Sequence, residues 1–175
     1  MEFVKGSNRV QLDDPLVDGR QSERALKIQR GVQRYLRVLG YTSLPEITLA
    51  SGRRADLVVI GKKSEIWIIE IKSSIEDFKA DNKWHEYRDY CDRLFFATSP
   101  DVPQEIFPEE TGFILADDYM AEIIREAPEH KLSAATRKAV ILRFAQAAAN
   151  RLHDLTDPNQ RNLRIPPRGA LNLTY

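Results

Sequence analysis

The stretch ADLVVIGKKSEIWIIEIKSS, residues 55–74, constrains the fold of this chain more than any other segment. Two short apolar runs flank a polar turn, which is the pattern of a β-hairpin. Asp56, Glu70 and Lys72 nevertheless stand among its aliphatic residues. Because burying a charge is costly unless the charge is paired or binds a cation, these three side chains need a specific arrangement.

The hairpin geometry predicts where the three charges meet. Side chains two residues apart on a strand share a face, so Glu70 and Lys72 lie side by side. Folding the strand of Asp56 back onto its neighbour brings two carboxylates and an amine to one edge of the sheet. The alternative is that Glu70 and Lys72 form a partly exposed pair at a strand end, with Asp56 in a turn.

The remaining chain adds helices and strands around the hairpin. Ser22 is a candidate N-cap for a first helix that ends at Leu39, before Gly40. Strands are predicted at 46–50, 55–61, 65–73, 93–98 and 111–117, and further helices at 74–92 and 132–155. This order predicts an α/β fold that begins with a three-stranded antiparallel meander.

We expect one folded domain, residues 21–155, with a loose arm at 1–20 and an irregular tail at 156–175. The domain includes the last helix. No apolar stretch approaches the roughly 20 residues of a membrane span, and the N-terminus lacks the apolar core of a signal peptide. We therefore expect a cytoplasmic protein that does not contact a membrane.

Charge and cysteine content narrow the candidate partners. Lys and Arg together number 26, as do Asp and Glu, so the whole chain offers no positive field for nucleic acid. Any DNA-binding surface must come from local segregation of charge. A single cysteine excludes an internal disulfide and the three histidines are scattered, so a metal would need carboxylate ligands.

The first predicted helix has such a segregated charge pattern. On a helical wheel its apolar residues share one arc, while Lys27, Arg30, Arg34 and Arg37 gather on the opposite arc. This basic stripe could bind DNA, with Arg30 and Arg34 among the contacts, or it could be a solvated face with no partner.

The charged trio resembles the motif of the PD-(D/E)XK nuclease superfamily, with Ala55 in place of the proline. The resemblance implies a restriction-endonuclease-like core, a mixed central sheet with helices on both faces. Its implied order is helix, three strands, helix and two strands, here with a C-terminal helix added. It also implies catalytic roles for Asp56, Glu70 and Lys72. An Mg²⁺ or Mn²⁺ ion would be held by the two carboxylates and the main-chain carbonyl of Ile71.

The superfamily often carries a further acid on its first helix, and this chain offers no clear counterpart. Glu23 falls among the basic residues of the outer face by the helical wheel. Glu46, on the first predicted strand, is an alternative.

The longer segments GRRAD and EIKSSIEDFKADNKWHEYRDYCDRLFFA resemble the MmcB-like family of bacterial DNA repair proteins. This similarity extends from about Gly31 to about Leu152. It implies a role in DNA repair or damage tolerance, with DNA and other repair proteins as candidate partners.

Four more side chains are candidates for DNA contact. On one continuous helix at 74–92, Lys83 and Tyr87 share the arc that faces the sheet, and the pair resembles a Gln-x-x-x-Tyr pair of some nuclease relatives. Lys83 could instead snorkel to water at the edge. Arg53 and Arg54 precede Asp56 and could bind a phosphate, or they could be ordinary turn residues.

Taken together, these features predict a metal-dependent DNA nuclease that hydrolyses phosphodiester bonds in DNA repair or damage tolerance. The complete set of Asp56, Glu70 and Lys72 favours this hypothesis. The alternative is a nuclease-fold module that binds DNA or a repair partner without cutting, which the balanced net charge and the missing helix acid favour.

Overall fold

A computed structural model describes the protein over residues 22–158. The predicted arm at 1–20 and residues 159–175 of the predicted tail lie outside the described residues. The helices are α1 (Glu23–Val38), α2 (Ile75–Ala80) and α3 (Ala134–Thr156), with 3₁₀ helices at Trp84–Tyr90 and Gln104–Ile106. The strands are β1 (Thr42–Thr48), β2 (Arg54–Ile60), β3 (Ile66–Ile71), β4 (Arg93–Thr98), β5 (Gly112–Ala116) and β6 (Ala121–Arg125).

The six strands form one mixed sheet in chain order. Strands β1, β2 and β3 form the predicted antiparallel meander, and β3, β4 and β5 run parallel to one another. The predicted α/β class is confirmed, whereas β6, which pairs antiparallel with β5, was not predicted from the sequence. The C-terminal ends of β3, β4 and β5 therefore share one edge of the sheet.

The alternation of side chains along β3 supplies both faces of the sheet with core residues. Trp67 and Ile69 pack with Ile28 and Leu36 of α1 on one face. Ile66 and Ile68 pack on the other face, where Tyr87 and Val140 cover them from the 3₁₀ helix and α3. Since side chains alternate, Glu70 lies on the same face as Ile68, at the end of a strand whose residues are all buried.

Gly31 lets α1 approach the β5–β6 turn, residues 117–120, closely. A Cβ atom at this position would lie 2.1 Å from the carbonyl oxygen of Asp117 and 2.6 Å from that of Met120. Since both neighbours are backbone atoms, any larger residue would push the helix away from the turn. Helix and turn therefore form one packed unit.

The predicted helix at 74–92 is wrong, because the chain forms two short pieces there. Helix α2 ends at Ala80, and Asp81 has the non-helical dihedrals φ −93° and ψ 83°. Asp81 accepts a hydrogen bond from the backbone N–H of Lys83 (3.2 Å) and another from Lys72 Nζ (2.6 Å). Such local side-chain bonds compete with helical backbone bonds, which explains the break.

Strand β1 also differs from its predicted range, since it begins at Thr42 rather than at residue 46. It includes Pro45, which an edge strand tolerates because one of its sides has no ladder partner. Among the helices in residues 22–158, none combines the length and hydropathy of a membrane span.

Candidate active site

Asp56 and Glu70 lie opposite each other where the β2–β3 ladder ends. The last paired residues are Leu57 and Ile69, and continuing this register by one residue pairs Asp56 with Glu70. Asp56 Oδ2 accepts from the Ile71 N–H (2.8 Å), and Glu70 Oε1 accepts from the Asp56 N–H (3.2 Å). The two carboxylates thus fasten the strand ends and face the same side of the sheet.

Lys72 follows β3 and is held by both its backbone and its side chain. Its N–H donates to the Ala97 carbonyl (2.9 Å), and its own carbonyl accepts from Thr98 Oγ1 (2.6 Å). The ammonium lies 2.6 Å from Asp81 Oδ2 and 4.0 Å from Glu70 Oε2, and the residue is only 5% exposed. The predicted convergence of two carboxylates and an amine is therefore seen in the structure.

A cavity of about 450 Å³ opens onto this trio. Ser22 and Ala25 of α1 line it on one side and Tyr87 on another. Its acidic and basic lining residues are Arg54, Asp56, Glu70, Lys72, Asp77 and Asp81. Four carboxyl groups thus face two cationic side chains, so the fully ionised cavity has an excess of negative charge.

The pKa values of the two opposed carboxyls are raised mainly by burial. Burial raises the pKa of Asp56 to about 6, although the hydrogen bond from Ile71 and the charge of Lys72 oppose the shift. Burial, followed by the charge of Asp56, raises the pKa of Glu70 well above its usual range. Both shifts disfavour the ionised carboxylates, and a positive charge placed between the two groups would lower both pKa values.

Lys72 keeps its charge in the same environment. Burial lowers its pKa, but the hydrogen bond from its ammonium to Asp81 and the charges of Glu70, Asp81 and Asp56 outweigh that effect, so the pKa is raised. A protonated lysine can orient a polar group or stabilise negative charge. It is a poor proton acceptor in this state.

The arrangement fits a hard divalent cation through the two opposed carboxylates. Within residues 22–158, no three or more His, Cys, Asp or Glu side chains are grouped to hold a metal by themselves. Magnesium, however, is commonly bound by one or two carboxylates and retains several waters. Asp56 and Glu70 provide the carboxylates, and Ile71 lines the same cavity.

The further residues predicted to contact DNA lie in different surroundings. Arg54 and Tyr87 line the cavity, and the Tyr87 hydroxyl donates to the Arg54 carbonyl (3.1 Å). Arg53 is ion-paired with Glu86 (2.5 Å) and lies over the Tyr87 ring. Lys83 is exposed and does not line the cavity, so its predicted position on the sheet-facing arc is wrong.

The predicted basic stripe of α1 is solvent-facing and partly paired. Arg30 forms an ion pair with Asp118 (2.8 Å), and Arg34 donates to the Asp118 carbonyl (3.0 Å). Lys27 pairs with Glu23 within the helix (2.8 Å). Two arginines of the stripe therefore contact the β5–β6 turn.

The two acids considered as additional ligands do not line the cavity. Glu23 is on the outer face of α1, as the helical wheel predicts. Glu46 lies opposite Asp56 on β1 but has a left-handed backbone (φ 52°), and its side chain pairs with Arg54 (3.5 Å). Neither residue supplies the further acid of the superfamily pattern.

Sequence reasoning missed two acids that the structure brings to the cavity. On one continuous helix at 74–92, Asp77 and Asp81 would lie on the outer arc, but the helix ends at Ala80 and both residues line the cavity. Asp77 accepts from the N–H (2.9 Å) and hydroxyl (3.1 Å) of Ser73. The signal that could have identified them is the Asp81-Asn82 pair, since both residue types favour turns over helix interiors.

The sequence of residues 12–159 matches the family described as DNA repair protein MmcB-like. The chain belongs to the MmcB-like DNA repair protein family. The match is longer than the resemblance at residues 31–152, and membership in this MmcB-like family indicates a role in DNA repair, with DNA or repair proteins as partners.

A solved structure of a protein of unknown function from Silicibacter pomeroyi is similar to this MmcB-like chain. The two sequences are 46% identical, and the match covers 83% of this chain and 98% of that chain. The TM-score is 0.78. No curated protein matches the chain.

Proposed function

We propose that this MmcB-like protein is a metal-dependent deoxyribonuclease of the PD-(D/E)XK superfamily, with a restriction-endonuclease-like core. The observation that carries the proposal is the opposed pair of half-buried Asp56 and buried Glu70, with the Lys72 ammonium 4.0 Å from Glu70. Each carboxylate accepts one backbone N–H across the strand ends, which leaves further oxygen lone pairs of both groups for a cation.

Asp56 and Glu70 would hold Mg²⁺ or Mn²⁺, with the Ile71 carbonyl as a third ligand. The bound ion would polarise the phosphate and lower the pKa of a coordinated water. Two oxygens bound to one Mg²⁺ at about 2.1 Å lie no more than about 4.2 Å apart. Directly opposed residues on antiparallel strands have Cβ atoms about 4.5–5.5 Å apart, so their carboxylate oxygens can approach that closely. The register of the two strands therefore supports this ligand pair.

Lys72 would orient the attacking water and stabilise the charge that develops on the phosphate. Its ammonium is kept protonated and is held at a fixed position by Asp81 (2.6 Å). Preorganised charge of this kind is effective because little reorganisation is needed during the reaction. Arg54 and Tyr87, which line the same cavity, would contact the DNA backbone.

A combined binding and cleavage experiment tests the proposal. Calorimetry with Mn²⁺ should detect a site in the wild type that Glu70→Gln weakens, while Glu122→Gln, an exposed acid on β6, should bind as wild type does. Cleavage should be assayed on single-stranded, duplex and branched DNA with Mg²⁺ and with Mn²⁺. A wild type that binds no Mn²⁺ and cuts none of these substrates would rule out the nuclease.

The second candidate function is a module that binds DNA or a repair partner without cutting. It is favoured by the closer contact of Lys72 with Asp81 (2.6 Å) than with Glu70 (4.0 Å), because an ammonium so engaged is less free to contact a water. In that case DNA binding in EDTA should equal binding with Mg²⁺. The nuclease hypothesis predicts instead that Mg²⁺ tightens DNA binding through the shared phosphate.

A further inference from the structure

The β5–β6 turn presents two large side chains to solvent beside the basic stripe of α1. Tyr119 is 71% exposed and Met120 is 57% exposed. The turn is fixed by Asp117, whose Oδ1 accepts from the N–H groups of Tyr119 (2.7 Å) and Met120 (2.8 Å). Exposed aromatic and thioether groups held on an ordered turn bury no core surface and need another explanation.

The arginines of α1 adjoin this turn directly. The Arg34 guanidinium lies 5.8 Å from the centre of the Tyr119 ring, and its Nη1 donates to the Asp118 carbonyl (3.0 Å). Arg30 pairs with the Asp118 carboxylate (2.8 Å). Gly31 lets the backbone of α1 pack directly against the backbone of the turn. The Tyr119 ring and the two arginines are therefore carried by one packed unit.

The charge of this surface is complementary to a polyanion. Its helix carries five cationic residues, Arg24, Lys27, Arg30, Arg34 and Arg37, against the single acid Glu23. The turn adds Asp117 and Asp118, and Arg24 pairs with Asp101, so the combined surface keeps an excess of one positive charge. A neutral protein thus concentrates positive charge beside an exposed aromatic ring, the combination with which proteins bind single-stranded nucleic acid.

The surface lies on the same edge of the sheet as the candidate active site. Strands β3 and β5 flank β4 and run parallel to it, so the C-terminal ends of β3 and β5 are about 10 Å apart. Lys72 follows the end of β3, and the β5–β6 turn follows the end of β5. Along α1, Ala25 lines the cavity and Arg34 lies nine residues further, about 14 Å at helical rise. A few nucleotides would span this separation.

We infer that the β5–β6 turn and the adjacent arginines of α1 bind single-stranded DNA, with an unpaired base stacked on Tyr119 and phosphates on Arg30 and Arg34. Duplex DNA is a poorer ligand for this surface because its bases are already paired and stacked. The inference rests on the proposed function in one respect: the strand bound here would be the one that enters the cavity. It names an unpaired strand as the substrate class.

Fluorescence anisotropy in EDTA tests the binding without cleavage. The probes are a labelled single strand of mixed sequence, the same strand with its bases removed at internal positions, and its duplex. Stacking of one base predicts that Tyr119→Ala weakens single-strand binding about 5-fold or more and duplex binding much less. Tyr119→Phe keeps the ring and should bind as wild type does.

Two controls separate stacking from unfolding and from general electrostatics. Leu142→Ala removes a comparably exposed side chain (54%) from α3 and should leave all three affinities unchanged. Wild type should bind the abasic strand as weakly as Tyr119→Ala binds the intact strand. The circular dichroism of Tyr119→Ala should match that of wild type, since its ring is exposed.

Several results would overturn the inference. Equal single-strand affinity of Tyr119→Ala and wild type, equal losses on single strand and duplex, or equal binding of intact and abasic strands would each exclude base stacking. A protein partner would then be the occupant of the turn. If no DNA is cut but Tyr119 still governs single-strand affinity, only the nuclease proposal fails; if DNA is cut and Tyr119 has no effect, only this inference fails.

Discussion

Within residues 22–158, two acidic centres are largely removed from water, and the pKa values of their carboxyls shift in opposite directions. Asp92, at the start of β4, is 3% exposed and accepts two hydrogen bonds from the Arg137 guanidinium (2.5 and 2.7 Å). It also accepts from the N–H groups of Ile66 (2.7 Å) and Leu132 (3.1 Å). Burial alone would raise its pKa, but these four bonds lower it.

The pair Asp56 and Glu70 lies at the other end of β3, where Glu70 is buried and Asp56 half-buried, and it accepts fewer hydrogen bonds. Each carboxylate accepts one backbone N–H among the described residues, and the Lys72 ammonium is 4.0 Å from Glu70. The pKa values of both are raised. The comparison indicates that Asp92 is compensated within the fold, whereas burial outweighs the compensation at Asp56 and Glu70.

Breaking the Asp92 centre should have the largest effect on stability. Asp92→Ala leaves Arg137 and two backbone N–H groups without their acceptor, so unfolding free energy should fall by about 3–5 kcal/mol. Urea denaturation of the purified protein measures it. Removing both partners in Asp92→Ala/Arg137→Ala should cost less than the single change, because no unpaired cation remains. If Asp92→Ala is as stable as wild type, Asp92 does not stabilise the fold.

Substitution of Lys72 beside the second centre should lower the cleavage activity and leave the fold intact. Lys72→Ala should lower the cleavage rate by a factor of ~100 or more, since a preorganised charge near the reacting phosphate is lost. DNA affinity should be nearly unchanged because the outer basic residues still contact phosphates. Single-turnover kinetics with the exposed Lys79→Ala as control gives the comparison. Cleavage by Lys72→Ala at the wild-type rate would mean that the activity lies at another site.

The sheet and the trio could be predicted from sequence because their signals are local. Alternating and continuous apolar runs identified the meander, and the spacing of Asp56, Glu70 and Lys72 across one turn fixed their convergence. Asp81 could not be placed, since the break in the predicted helix depends on a bond to Lys72, which is nearby only after folding. Strand β6 was missed because its five residues carry one short alternating pattern, with Glu122 and Ile124 exposed.

The pH dependence of stability should distinguish the two centres. The folded pKa of Asp56 is raised, to about 6, so its contribution is fully present below pH ~4 and is lost as pH rises through 6. The folded pKa of Asp92 is lowered, so its contribution is fully present above the ordinary carboxyl pKa of about 3.9 and is lost as pH falls below that value. In EDTA at pH 7.5, Asp56→Asn should therefore be more stable than wild type by up to about 3 kcal/mol, and the difference should vanish near pH 4.

Thermal unfolding at several pH values, with and without Mn²⁺, measures this. At pH 7.5, Mn²⁺ should raise the melting temperature of wild type more than that of Asp56→Asn, because the ion binds the folded protein through that carboxylate. If Asp56→Asn is less stable than wild type at pH 7.5 in EDTA, the side chain is a structural acid like Asp92. The contrast between the centres would then disappear.

The smallest effect on stability is expected from substitution of Arg30 and Arg34 on α1, which are paired but not buried. Arg30 and Arg34 both contact Asp118, yet Arg30 remains 57% exposed, unlike the acid-bound Arg137 at 23%. Their reversal in Arg30→Glu/Arg34→Glu should leave stability within about 1 kcal/mol, since exposed pairs contribute little.

DNA affinity of this double variant should fall by a similar factor for every sequence, and the salt dependence should become shallower by about 0.7–0.9 per lost phosphate contact. Anisotropy titrations at several salt concentrations measure both quantities. Affinity and slope equal to those of wild type would show that the stripe is a solvated face. An unchanged slope with lost affinity would instead indicate a disturbed β5–β6 turn, because a lost phosphate contact must also release fewer counterions.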